Sequence, residues 1–158
     1  MDAYVRCTLP NATVTDFQAR VSLCSNNLSG AALTALDELL LIYPHLTHLS
    51  LKDNNINDNN VAILTPGLSQ CYMLTELGLA FNLITMTGLT ALTKSLTNCS
   101  KLKKLDLWNN NIGNATLRLD KPLIFLPELE ELDLSDNDLK KEALKELGIW
   151  FSQCFRLK

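Results

Sequence analysis

The sequence predicts an α/β solenoid of about five stacked strand–turn–helix units, running through all 158 residues as one domain. Two observations carry that prediction. One motif, L-x-x-L-x-L-x-x-N-x-I/L, recurs at a nearly fixed spacing. The residues between its copies also align, with apolar positions at helical spacing. Internal repetition of this kind settles architecture before any local propensity does.

Four segments match the motif closely: LTHLSLKDNNI (46–56), LTELGLAFNLI (74–84), LKKLDLWNNNI (102–112) and LEELDLSDNDL (129–139). A weaker copy, QARVSLCSNNL (18–28), precedes them. Val21, Leu49, Leu77 and Leu105 lie 28 residues apart, and Leu132 follows 27 later. Between the copies, Leu36, Leu64, Leu92 and Leu147 form one column. Leu40, Leu68, Leu96 and Phe151 form a second, four residues on, which is one face of a helix. Tyr43, Cys71, Cys99 and Cys154 form a third, just before each strand. All three columns are expected to be buried. One unit cannot bury its apolar face alone, but stacked units cover one another and make a continuous core. Asn26, Asn54, Asn82, Asn110 and Asn137 stand where the chain leaves each strand. Their amides can bond the adjacent turns and satisfy backbone groups that the bend would orphan.

These residues resemble the leucine-rich repeat family, in its ribonuclease-inhibitor-like class, over about residues 17–158. The resemblance implies a leucine-rich-repeat solenoid with a curved parallel β-sheet on the concave side and helices on the convex side. Residues 1–16 are expected to cap the first repeat with Val5, Cys7, Leu9 and Val14, residues 17–139 to carry the repeats, and residues 140–158 to form a capping helix and the start of a further repeat. The stretch 113–129 is one residue short and holds Pro122 and Pro127. A proline inside a helix costs about 3 kcal/mol, so an extended or 3₁₀ connection is expected there, with Leu117, Leu123, Ile124 and Leu126 facing the core.

Composition narrows the function classes. Hydrophobic residues make up 47% of the chain, enough for a sizeable core. Seventeen acidic residues against 14 basic ones disfavour a nucleic-acid surface, which needs a basic stripe. No apolar run approaches the roughly 18 residues of a membrane helix, and MDAYVRCTLPNATV lacks the apolar core of a signal peptide. The five cysteines are widely spaced with no CxxC pair, which argues for reduced thiols and against zinc. A cytoplasmic protein is expected; the alternative is one secreted into a host cell by a bacterial or protist pathogen. The Asn-x-Ser/Thr triplets at Asn11, Asn27, Asn98 and Asn114 carry little weight in so asparagine-rich a chain.

No catalytic set converges. His45 and His48 do not share a face, and a pair between His45 and Cys71 or Cys99 competes with burial of both thiols. Glycine-rich phosphate loops are absent. DLSDND (133–138) lacks the glycine and distal glutamate of a calcium loop. No enzyme activity, cofactor or metal is expected.

The polar positions of each strand point away from the leucines, onto the concave face. Read across repeats they form columns about 4.8 Å apart. One is Arg20, His48, Glu76, Lys104, Glu131. The next is Ser22, Ser50, Gly78, Asp106, Asp133. A third is Cys24, Lys52, Ala80, Trp108, Ser135, and the rising loop adds Ser25, Asp53, Phe81, Asn109, Asp136. The alternating charges make either a cross-strand ladder or a rim that orients a partner. Trp108 and Phe81 are outward aromatics on adjacent repeats, with Gly78 and Ala80 expected to leave space beside them. Exposed aromatics on a polar face are typical anchors of a binding patch; the competing reading is that they pack on each other. The expected protein-binding residues are therefore Trp108, Phe81, Lys52, His48, Glu76, Lys104, Asp106 and Asp133. The expected function is a monomeric, non-enzymatic interaction module for a protein of basic or mixed surface, with no nucleic-acid or membrane partner. An effector that binds a host protein and a regulator of a GTPase or other enzyme are the alternatives.

Overall fold

Every L-x-L motif becomes a strand of only three to five residues, because the asparagine turn follows at once. A computed structural model of the chain describes residues 19–114, 126–152 and 154–158. The expected N-terminal cap and the positions of Leu117, Leu123 and Ile124 lie outside those residues. In chain order the elements are β1 (Ala19–Ser22), α1 (Gly30–Ile42), β2 (Leu46–Ser50), α2 (Asp58–Leu68), β3 (Glu76–Gly78), α3 (Met86–Ser95), β4 (Lys104–Asp106), β5 (Glu131–Asp133) and α4 (Lys141–Phe151). A 3₁₀ turn at Ile112–Asn114 opens the shortened connection. The strands form one sheet in sequence order, every neighbouring pair parallel.

Register follows the repeat. Leu49 pairs with Leu77, Leu77 with Leu105 and Leu105 with Leu132. The first three are buried, whereas Val21 and Leu132, on the outer strands among the described residues, are half-buried because each has a described strand on one side only. The helix leucines at 36, 64, 92 and 147 close the core from the opposite side.

The asparagine ladder forms as the motif requires. Asn82 Nδ2 donates to the carbonyls of Leu51, Leu79 and Ala80, and its Oδ1 accepts from the amides of Asn54 and Ile56 at 3.1 and 2.9 Å. Asn54, Asn110 and Asn137 repeat the scheme. All four are buried, so each rung satisfies backbone groups that water cannot reach.

Helix α2 holds Pro66 in its interior and still continues. The ring deprives the Ala62 carbonyl of its usual donor, and the Thr65 hydroxyl bonds that carbonyl instead at 2.9 Å. Across the groove, the Asp37 carboxylate accepts the Gly67 amide at 2.6 Å. A Cβ on Gly67 would meet that carboxylate at 2.7 Å, so glycine is what lets α1 approach. Gly113 is bound as closely, since a Cβ there would collide with the Asp138 carbonyl.

Two column assignments are corrected. Tyr43 is exposed, while Cys71, Cys99 and Cys154 are buried as expected. That slot holds a thiol, and a phenol is too large for it. Phe151 is also exposed, and Trp150, 1% accessible, takes the core position. Both residues flank Leu147 on the helical wheel; the larger indole occupies the inward side.

Candidate protein-binding face

The polar columns sit on the sheet as the register demands. His48 pairs with Glu76, Glu76 with Lys104 and Lys104 with Glu131. His48 Nε2 lies 3.2 Å from Glu76 Oε1, and Lys104 Nζ lies 2.9 Å from Glu131 Oε2. The other nitrogen of His48 is 2.8 Å from the Thr47 hydroxyl, which fixes the ring. The hydrogen bond and charge of Glu131 hold the Lys104 pKa above the ordinary lysine value. These groups form the cross-strand ladder, and an exposed ion pair such as Lys104–Glu131 contributes about 0–1 kcal/mol.

Asp106 and Asp133 play a local part. Each sits at a strand end and accepts the amide two residues on, Trp108 N at 3.1 Å and Ser135 N at 2.9 Å. These bonds steer the chain into the rising loop. Hydrogen bonds from Ser135 lower the Asp133 pKa.

Lys52, Phe81 and Trp108 converge. The rings of Phe81 and Trp108 meet edge to face, with centroids 4.5 Å apart at 71°. The Lys52 ammonium lies 4.9 Å from the Phe81 centroid and 5.6 Å from that of Trp108. Trp108 Nε1 donates to Asp136 Oδ2 at 2.8 Å. Both aromatics stay half-buried, so part of each ring faces solvent. The space expected at Ala80 is absent, because Ala80 is fully buried. It lies between Lys52 and Trp108 in its column, and their side chains meet above it. Gly78 borders the Ser50 hydroxyl, where a Cβ would come to 3.1 Å.

Backbone geometry singles out Phe81. The loop position after each strand is left-handed in every repeat: Ser25, Asp53, Phe81, Asn109 and Asp136 have φ of 57, 58, 53, 52 and 54°. Aspartate and asparagine suit that region, but a bulky aromatic is an outlier there. Residue type and repeat position together carried this signal in the sequence. Asp136 as the partner of Trp108 was the residue that sequence reasoning missed; its 28-residue offset from Trp108 was the available clue.

Cys71 and Cys99 are poor candidates for a nucleophile. Burial pushes Cys71 up to about 11 and Cys99 up to about 12, so both stay protonated near neutrality. His45 Nδ1 meets the Tyr72 hydroxyl at 3.1 Å rather than a thiol. Among the described residues no group of three His, Cys, Asp or Glu could hold a metal, and no helix is long and apolar enough to cross a membrane.

The family model described as "Leucine Rich repeat" matches residues 44–59, 98–117 and 127–148. The sequence matches no curated protein. Among solved structures, actin-binding site 2 of leiomodin-1 is similar in fold, with a TM-score of 0.57 at 14% identity. The match covers 87% of this chain and 66% of that one, so this chain spans just under two thirds of that neighbour's length. Repeat register, parallel sheet, asparagine ladder and family match agree on a solenoid built of leucine-rich repeats.

Proposed function

We propose that this chain is a non-enzymatic interaction module that binds a protein partner through its concave face and loop edge, with Trp108 and Phe81 as the anchor. The observation that carries the reading is Phe81 in a left-handed backbone position. Four other repeats place small polar residues there, and this one places an aromatic ring against a second aromatic at the surface. Strained, bulky residues concentrate where function requires them. Paired, rigid aromatics supply contact area at low entropic cost, as binding hot spots do.

The test is affinity capture with wild type, Trp108→Ala and Phe81→Ala in parallel. Actin, named for the structural neighbour, is the first defined protein to try, followed by a cell lysate. A partner retained by wild type and lost by both variants supports the reading. Capture that is indifferent to both substitutions moves the interface elsewhere.

A further inference from the structure

Among the described residues, the concave-face lysines at 103, 104 and 158 each pair with a carboxylate. Lys103 and Lys158 share Glu130 at 3.1 and 2.7 Å, Lys104 holds Glu131, and His48 meets Glu76. Lys52 differs from these. Among the described residues no carboxylate lies within ion-pairing distance of its ammonium, which rests over two aromatic rings instead. The nearby acids are engaged with other donors. Asp53 accepts from the Ser25 hydroxyl at 2.8 Å, Asp106 from the Trp108 amide and Asp136 from the Trp108 indole. The rings fix the position of the Lys52 ammonium without neutralising it, and an ammonium on a π face keeps N–H donors to offer.

We propose that Lys52, seated on Phe81 and Trp108, receives a carboxylate side chain of an acidic partner segment, whose neighbouring apolar side chain packs on Trp108. The charge complementarity is local, because among the described residues Lys52 is a concave-face cation held without a carboxylate. Lys52 is exposed, so its ammonium is open to a partner carboxylate, and a charge-assisted hydrogen bond is stronger than a neutral one. The row Asp106, Asp133, Asp136 invites the opposite expectation, a basic partner. Its carboxylates already serve the turns and the Trp108 indole. This inference rests on the proposed binding role of the same face.

The experiment pans a random peptide library displayed on phage against the full chain and against Trp108→Ala. Selected peptides are then synthesised and titrated against wild type, Lys52→Met and Lys52→Arg, with circular dichroism confirming each fold. Lys52→Met keeps the apolar stem over the rings and removes the charge. The expected peptides depend on Trp108 and carry Asp or Glu beside an apolar residue. Lys52→Met should weaken them about tenfold or more, as should Glu→Gln in the peptide, and the two changes together no further. Lys52→Arg should retain binding. Trp108-dependent peptides that are basic, or indifferent to Lys52→Met, overturn this inference and leave the proposed function standing. A selection with no Trp108-dependent peptide overturns the proposed function and this inference with it.

Discussion

The indole N–H of Trp108 donates to the Asp136 carboxylate at 2.8 Å, tying the strand end of one repeat to the loop of the next. The bond sets how the ring leans over Ala80 and toward Phe81. Asp136→Ser removes it while keeping a residue type that Ser25 shows to be compatible with the same left-handed turn. An exposed hydrogen bond contributes about 0.5–1.5 kcal/mol, so Tm should fall by only a few degrees. Partner affinity should fall too, by less than in Trp108→Ala. Unchanged affinity in a titration of the captured partner would remove Asp136 from the site.

Phe81→Asn installs the residue that stands at the same loop position in the next repeat, Asn109. Left-handed backbone costs an ordinary L-residue about 1–2 kcal/mol, and asparagine less. The lost ring pair is worth about 0.5–1.5 kcal/mol, so the two effects nearly cancel. Thermal unfolding should stay within about 4 °C of wild type, while binding weakens by more than about 1 kcal/mol. A large Tm drop with intact binding would make Phe81 a structural residue.

Leu105 is fully buried in the middle of the inward strand column. Leu105→Ala should cost roughly 2–5 kcal/mol in urea unfolding. Asn82→Ala should be destabilising as well, because it leaves the Asn54 and Ile56 amides without their acceptor. Near-neutral values for both would refute the register.

Glu130 sits between Lys158 and Lys103, whose hydrogen bonds and charges hold its pKa down at about 2 against an ordinary 4.5. A depressed carboxylate stabilises the fold at a pH above its unfolded value. That contribution disappears as pH falls from about 4.5 to about 2. Glu130→Gln should therefore flatten the acid limb of a stability-versus-pH curve in that window and lower stability slightly at neutral pH, where the wild-type contribution is fully present. Added salt should shrink the difference, since the groups are exposed. Parallel acid limbs for wild type and variant would show that these lysines do not stabilise the folded chain.

Much of the molecule was legible in the repeat. Leu49, Leu77 and Leu105 had to face inward because no other arrangement buries a 28-residue column. Asn54, Asn82 and Asn110 had to bond the bend because water cannot reach it. That forced Trp108 outward onto the concave side. Tyr43 and Phe151 escaped the same logic, since a column predicts position and not whether a ring fits its slot.

The sequence by itself determined the repeat, the strand register, the inward leucines and the outward place of Trp108 and Phe81. Backbone position follows from periodicity, and periodicity is local information repeated. Only the tertiary structure decided that Lys52 reaches over Ala80 to both rings, that Asp136 holds the indole, and that Asp106 and Asp133 bond the loop amides just past their own strands. Those choices belong to outward side chains with several rotatable bonds. Their directions are set by neighbours one or two repeats away, which become adjacent only when the solenoid stacks.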